Sequence, residues 1–455
     1  MPDKPENGDA ARGDSMAVGA NTINVTRFID DRKISGFQYL VAILCGITVF
    51  LDGYDTQSIA FVAPSIAQEL HLSRAALGPL FVASLVGLLF GALTFGPIAD
   101  KFGRRSVIIV CTIIFGAFTL VAATSDSLTE LLIFRFITGL GLGGAMPNGI
   151  ALTAEYSPER RRATIVMIMF MGFSLGAAFG GAVSAGLITD YGWRSVWYVG
   201  GALPLILAPI LFFLLPESIR FLVVTDAPGA RIAKLLRRIE RGFIAPASTR
   251  YEVDEARAKG VPVAELFRNR RALGTFLLWI MFFTNLLANF FLQNWIPTLA
   301  HDSGIDLRTA VIIGTMYQVG GVLASLLVGW PIDRFGPYKV MPWLFGLAVP
   351  FIVLIGHAVG SPNLLMALTF GAGFCIIGGQ NSANALAAIF YPTAMRASGV
   401  GWSLGIGRIG AILGPLIAGA LLAAQYPMQS LFMLGAIAPA CACVACFTMG
   451  RNYTK

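Results

Sequence analysis

Gly96-Pro97-Ile98-Ala99-Asp100-Lys101-Phe102-Gly103-Arg104-Arg105 closes one long apolar run, and Gly329-Trp330-Pro331-Ile332-Asp333-Arg334-Phe335-Gly336-Pro337-Tyr338-Lys339 closes another. The step from Gly96 to Gly329 is 233 residues. A second pair of stretches, Tyr156-Ser157-Pro158-Glu159-Arg160-Arg161 and Tyr391-Pro392-Thr393-Ala394-Met395-Arg396, is separated by 235 residues. Two independent echoes at nearly the same step indicate a duplicated unit. Duplicated membrane bundles commonly rock about a site at the midplane between them.

Around these stretches, apolar runs fall near 37–62, 76–99, 106–124, 129–154, 163–188, 195–215, 273–299, 309–332, 338–358, 363–390, 397–423 and 428–449. Each is long enough to cross about 30 Å of hydrocarbon as a helix. The chain is 13% charged, roughly half the ~25% of soluble domains. The expected fold is an all-α polytopic membrane protein, with twelve transmembrane helices in two pseudo-symmetric six-helix bundles. The expected division is an N-terminal tail over 1–36, a first bundle over 37–215, a polar loop over 216–272, and a second bundle with a short tail over 273–455. The loop reads as a tether between the halves. The tail is polar and mixed in charge, unlike a cleavable signal peptide.

The basic residues set the orientation. With twelve spans, 28 of the 33 Lys and Arg fall on the side that holds both tails and the long loop. Only Arg74, Arg194 and Arg308 fall on the other side, and Arg135 and Arg408 lie inside spans. Lys and Arg are retained preferentially in the cytoplasm. Both termini are therefore expected there, in an inner (cytoplasmic) membrane. The net charge of +8 is thus a matter of topology, and no aromatic–basic stripe or finger spacing suggests a nucleic-acid partner. Six cysteines lie in apolar runs and three histidines are scattered, so neither a metal nor a cofactor is expected. No nucleotide loop or nucleophile–base set suggests an enzyme.

Within the first run, Phe50-Leu51-Asp52-Gly53-Tyr54-Asp55 places two carboxylates where lipid-facing residues would otherwise stand. A charge near the bilayer centre costs at least ~2.5 kcal/mol. Asp52 and Asp55 are three apart, so a helix puts them on one face. Such acids face a water-filled cavity, find a cationic partner or carry protons; otherwise the run ends early and both lie in a wet loop. An acid that moves between a dry site and a guanidinium can take up and release a proton. Two acids this close titrate as a pair.

These stretches carry a resemblance. Gly96 to Arg105 resembles the loop signature of the major facilitator superfamily, with residues 329–339 as its weaker copy. The resemblance implies a conformational gate made of Gly96, Asp100, Gly103, Arg104 and Arg105, mirrored by Asp333 and Arg334. In that reading Gly96 permits close helix approach, and the turn at Gly103 lays Arg104 and Arg105 on the surface. Arg135-Phe136-Ile137-Thr138-Gly139-Leu140-Gly141-Leu142-Gly143 resembles the superfamily's fourth-helix motif. It implies a link between Arg135 and proton coupling; the alternative is an interfacial Arg that snorkels. On the fifth run Ala177 stands where the antiporter motif has Pro, which counts modestly against an exporter.

Asp52-Gly53-Tyr54-Asp55, Glu155-Tyr156-Ser157-Pro158-Glu159-Arg160-Arg161-Arg162, and Tyr391 to Trp402 followed by Gly405-Ile406-Gly407-Arg408 resemble a narrower group, the aromatic acid:proton symporter family. Its members import benzoate- and hydroxybenzoate-type acids, and muconate importers are similar. Arg408 lies about twelve residues into its helix, near mid-membrane, where Arg can hold a carboxylate bidentately or pair with Asp52 or Asp55. The amides Asn285, Asn289 and Gln293 form a stripe at four-residue spacing. Tyr317, Gln318, Gln380 and Asn384 lie on neighbouring helices. These, with Tyr54 and Trp402, are the candidate substrate contacts, although amides also bond between helices for ~0.6 kcal/mol each. Glu155 is expected in a gate salt bridge near Arg160–Arg162, with Arg161 and Arg396 in related gating roles.

The leading expectation is a monomeric secondary transporter that imports an aromatic carboxylate with a proton by alternating access. The alternatives are a proton-coupled importer of a muconate-like acid, an efflux antiporter, or a membrane sensor of aromatic acids.

Overall fold

The computed structural model describes residues 22–246, 249–253, 263–268, 271–358, 360–391 and 395–453; the side chains of residues 163, 333, 388, 396 and 397 are outside that description. A short strand β1 (Thr22–Asn24) and helix α1 (Val25–Asp30) precede six long helices. These are α2 (Gly36–Glu69), α3 (Arg74–Phe102), α4 (Arg104–Ala122), α5 (Leu128–Tyr156), α6 (Glu159–Tyr191) and α7 (Trp193–Leu214). The loop contributes α8 (Ile219–Val224), α9 (Gly229–Ile239) and strand β2 (Arg250–Glu252). The second set is α10 (Ala272–Asp302), α11 (Leu307–Leu327) with its extension α12 (Gly329–Phe335), α13 (Pro337–His357), α14 (Pro362–Phe390), α15 (Arg396–Ala423) and α16 (Met428–Tyr453). Twelve of these helices are long and apolar enough to cross a membrane.

The packing repeats between halves. In the first, α2 packs on α6, α3 on α5, and α4 on both α5 and α7; in the second, α10 packs on α15, α11 on α14, and α13 on both α14 and α16. Glycines allow backbones to approach within each pair. A Cβ at Gly139 would strike Ser84, one at Gly143 would strike Leu88, and one at Gly414 would strike Leu287. The duplicated turns also match: Gly103 at φ +91° ends α3, and Gly336 at φ +83° ends α12. An L side chain rarely adopts that conformation.

Helix starts are capped. Ser35 and Gln38 form a reciprocal capping box at α2, which satisfies amides the helix leaves unpaired. Asp306 accepts the Thr309 N–H at 2.9 Å, and that bond holds its carboxyl below the usual range.

The loop is more than a tether. β1 and β2 pair in parallel, Thr22 opposite Arg250, and Val25, Phe28, Ile29, Ile219, Leu222, Ile232 and Leu236 share a core with the start of α2 and the end of α5. Arg32 bonds to Glu240 at 2.5 Å. The tail from Thr22 onward and the loop through Val253 therefore fold onto the first half. The apolar spacing of α9 had a surface to bury against, and the first bundle supplied it.

The tails and this loop lie at one end of the bundle, called the basic end; at its second-half side, the Tyr453 hydroxyl meets the Gly274 N–H at 3.0 Å. The opposite, far end behaves differently. There one apolar core runs through both halves, including Phe61, Ile66, Leu77 and Trp197 with Leu292, Trp295, Ile313 and Phe432. At the basic end each half keeps its own core. The halves are fused at the far end and separate at the basic end.

Candidate functional site

The run that holds the two acids does not end early: α2 is continuous from Gly36 to Glu69, and both acids are buried. They nevertheless face different partners. Asp55 points into the first bundle, where Nη1 of Arg135 lies 3.0 Å from Oδ1 and 3.0 Å from Oδ2. Nη2 of Arg135 donates to the Asp55 carbonyl at 3.4 Å, and the Thr119 hydroxyl donates to Oδ1 at 2.8 Å. The guanidinium carbon lies 5.3 Å from the Trp197 ring centroid. The Trp197 indole donates to Ser58 Oγ at 2.9 Å, and Ser58 in turn donates to the Asp55 carbonyl at 2.8 Å. Arg135 is wholly buried, so it does not snorkel. Its charge is met by the acid on the neighbouring helix.

Asp52 has the looser environment. Thr56 donates to Oδ1 at 3.0 Å, while Oδ2 has no hydrogen-bond partner among the described residues. The charges it senses are Asp55 on its own helix and Arg408 on α15 of the other half. Arg408 is half-buried and has no ion pair among the described residues. By sequence either acid could pair with Arg408; in the structure Asp55 pairs with Arg135, and Asp52 is the acid whose charge interacts with Arg408.

A band of amides lies beside them. Asn285 donates to Gln380 Oε1 at 2.9 Å and to the Ile376 carbonyl at 3.2 Å, and Gln380 donates to Asn384 Oδ1 at 3.3 Å. Tyr317 donates to Asn289 Oδ1 at 2.8 Å, and Asn289 donates to Gln293 Oε1 at 3.5 Å. Asn285 Oδ1 and Gln293 Nε2 have no hydrogen-bond partner among the described residues. Gln318 donates to Gln57 Oε1 at 2.8 Å, and Gln57 donates to the Gln293 carbonyl at 3.1 Å. Gln57 is not among the candidates expected from the sequence. Its signal was a polar side chain two positions beyond Asp55, and through it α2 is bonded to both α10 and α11.

Two candidate contacts lie elsewhere. Tyr54 is fully buried within the first half; its hydroxyl donates to the Val196 carbonyl at 3.0 Å, and its ring fills the space left by Gly180 and Gly200. One residue from Asp55, its side chain turns toward α6 and α7 and away from Arg408's half. Trp402 is exposed and stacks on Trp279 at 6.1 Å, near the basic end.

The gating candidates gather at the basic end. Arg104 pairs with Glu155 at 2.9 Å, and Ser218 donates to Glu155 at 2.5 Å. The expected neighbours Arg160–Arg162 are not the partner: Arg162 donates to the Ala154 carbonyl at 3.0 Å, and Arg161 is exposed. Glu217 accepts the Arg105 N–H at 3.2 Å, so it caps α4 from a distant loop. The Arg105 guanidinium bonds to the Phe212 carbonyl. Arg104 and Arg105 are thus held in place and do not lie loose on the surface. Asp100 is exposed with no ion pair among the described residues. Nothing lies within 4 Å of a Cβ built at Gly96, so the close approach expected there is absent in this structure. Arg334 lies over Trp330 at 5.4 Å. The side chains of Asp333 and Arg396 fall outside the described residues.

The polar groups thus come from both bundles: Asp52 on α2 of the first, and Arg408 and the amides of α10, α11 and α14 in the second. The family model of the Major Facilitator Superfamily matches residues 45–314 and 278–454. A 4-hydroxybenzoate transporter of Pseudomonas aeruginosa is 45% identical over 402 residues, which is 88% of this chain and 90% of that one. A gallate transporter of Pseudomonas putida is 42% identical, covering 90% and 92%, and a benzoate transport protein of Acinetobacter baylyi is 35% identical, covering 89% and 88%. Among solved structures, a bacterial homolog of the human lysosomal transporter Spinster, in an inward-facing and unoccupied conformation, superposes with a TM-score of 0.70. It covers 92% of this chain and 98% of that one at 18% identity, a likeness of fold. The chain belongs to the major facilitator superfamily and, within it, to the aromatic-acid transporters. These relatives are membrane transporters and not enzymes.

Proposed function

We propose that this protein imports an aromatic carboxylate of the hydroxybenzoate, gallate or benzoate kind together with a proton, by alternating access across the inner membrane. The observation that carries the reading is the contrast between the two acids: Asp55 is ion-paired with Arg135 inside its bundle, whereas Asp52 has no ion pair among the described residues and its charge interacts with Arg408 across the seam. The relatives' names supply the substrate class.

In this mechanism Arg408 is balanced by Asp52 when the cleft is empty. An arriving carboxylate takes the guanidinium in two parallel hydrogen bonds. Asp52, buried and without its counter-charge, then takes a proton, because an unpaired charge in a dry site is unfavourable. The free groups on Asn285 and Gln293 receive ring hydroxyls. The loaded site carries one anion and one proton inward. Water entering at the basic end releases both, and Asp52 returns to Arg408.

The Lys and Arg bias puts the basic end in the cytoplasm, so the described conformation is open inward. Bundles 37–215 and 273–455 rock about the far-end seam as two bodies, and Arg104, Glu155 and Asp100 act when the basic end closes. A single chain supplies both walls, so a monomer suffices. The test is uptake of a panel of aromatic acids into proteoliposomes with and without an inward proton gradient. Accumulation only with the gradient supports the reading. Equal flux without it, or export against it, refutes it.

A further inference from the structure

Within a largely apolar seam, three polar side-chain contacts join the halves among the described residues, and two of them belong to Gln57. The third stands alone at the far end. Arg74, at the first turn of α3, pairs with Asp302, the last residue of α10. No other ion pair among the described residues links the two halves. Both side chains are partly exposed, 38% and 27%.

Beside this pair is a cavity of about 280 Å³. It straddles the seam: Pro64, Gln68, Leu72 and Arg74 wall it from the first half, and His301 and Asp302 from the second. The His301 ring is fixed by a 3.0 Å contact between Nδ1 and the Ile305 carbonyl. A water's share of liquid volume is about 30 Å³, so the space equals about nine waters and admits one aromatic ring with a carboxyl group. The exposed lining is mainly polar, with Pro64 and Leu72 among the residues that line it, and Arg74 offers the cation that planar carboxylates favour.

We propose that this cavity is an outer capture site for the carboxylate, at which the substrate's carboxyl group replaces Asp302 on Arg74 and thereby unlatches the far end. The inference rests on the transport reading above, with the far end outside. The exchange swaps one carboxylate for another on the same guanidinium, so no charge is left unpaired at Arg74. A part-exposed ion pair is weak and readily exchanged. Meanwhile the ion pair between α3 and α10 is lost, because the substrate bonds to Arg74 alone, and only apolar packing such as Phe81 on Trp295 stays between them. Arrival of the acid and loosening of the outer seam become one event. Of the polar bridges between the halves among the described residues, only those of Gln57 then remain.

The test uses two variants that break the same ion pair from opposite sides. Each is made in the full-length protein with a reporter, Ala300→Cys, in the shared far-end core, where Ala300 is 3% exposed. Asp302→Asn and Arg74→Gln should both raise labelling of that cysteine by an impermeant maleimide added from outside. The apparent KM for external 4-hydroxybenzoate should move in opposite directions. Asp302→Asn frees Arg74 and lowers it about three- to tenfold, and Arg74→Gln removes the cation and raises it by about as much. Arg74→Lys keeps the charge and should fall between wild type and Arg74→Gln, which guards against a misfolded variant. KM shifts in the same direction, or none, mean a simple latch and overturn the capture site. Absence of aromatic-acid uptake by the unaltered protein overturns the transport reading and the capture site with it, whereas intact uptake with parallel KM shifts overturns the capture site alone.

Discussion

Arg135 and Asp55 form a wholly buried ion pair, one guanidinium nitrogen lying 3.0 Å from each carboxylate oxygen. That pair removes one of two neighbouring acids from the cleft and leaves Asp52 as its only close carboxylate on α2. The two acids should therefore fail in different ways when altered.

Asp55→Asn leaves Arg135 charged, buried and without a counter-ion. Breaking a buried pair from one side costs ~3–5 kcal/mol. The variant should unfold at a clearly lower temperature in detergent and reach the membrane in reduced amount. Wild-type stability in this variant would mean that the pair is not structural.

Asp52→Asn keeps an oxygen that can accept the Thr56 hydroxyl, breaks no direct ion pair among the described residues, and removes the charge that acts on Arg408. The protein should fold normally, bind the acid, and equilibrate it without concentrating it. Measured in proteoliposomes, accumulation should become insensitive to the proton gradient. Retained uphill transport would rule Asp52 out as the proton carrier.

Arg408→Ala should weaken binding of the carboxylate far more than of its methyl ester. A charge-assisted bond is worth ~1.5–3 kcal/mol, a discrimination of about ten- to a hundredfold. Equal loss for acid and ester would mark Arg408 as a structural residue.

Gln57→Leu deletes both polar bridges between α2 and the second half. Interhelical bonds in membranes contribute ~0.6 kcal/mol each, so far-end accessibility should rise about sevenfold in thiol labelling. Unchanged labelling would show that these bonds re-form with other partners.

Gly103→Ala forces a side chain into φ +91° and against the Glu217 carboxylate that caps α4. Left-handed strain of ~1–2 kcal/mol adds to a cap loss of ~0.5–2 kcal/mol. Reduced thermal stability is expected, and Glu217→Ala should show the cap component alone.

Much of the architecture was legible in the residues. Twelve apolar runs, the echo of Gly96–Arg105 at Gly329–Lys339 and the charge bias were enough for span number and duplication, because a bilayer offers no water to unpaired backbone and so admits few solutions. The loop is legible only in part. The charge-rich stretch Arg231–Arg241 is helix-like, and α9 spans Gly229–Ile239; β1 and β2 are too brief to signal structure alone, and the loop packs where it does because the first bundle presents an apolar surface.

Composition and spacing also identified a polar constellation, Asp52, Asp55, Arg135, Arg408 and the amides of α10, α11 and α14. They could not apportion its partners. Residues three apart on a helix differ by about 60° in direction, which looks like one face in a sequence. In the packed bundle that angle separates Asp55, turned toward α4 and α5, from Asp52, within the field of α15 in the other half. The same holds for Glu155, Gln57 and Asp302, whose partners lie tens to hundreds of residues away. Apolar patterning fixes which segments leave water, since that free energy depends on each segment's own surface. Pairing depends on which helices touch and on how each is rotated, and that is set only when the two halves pack.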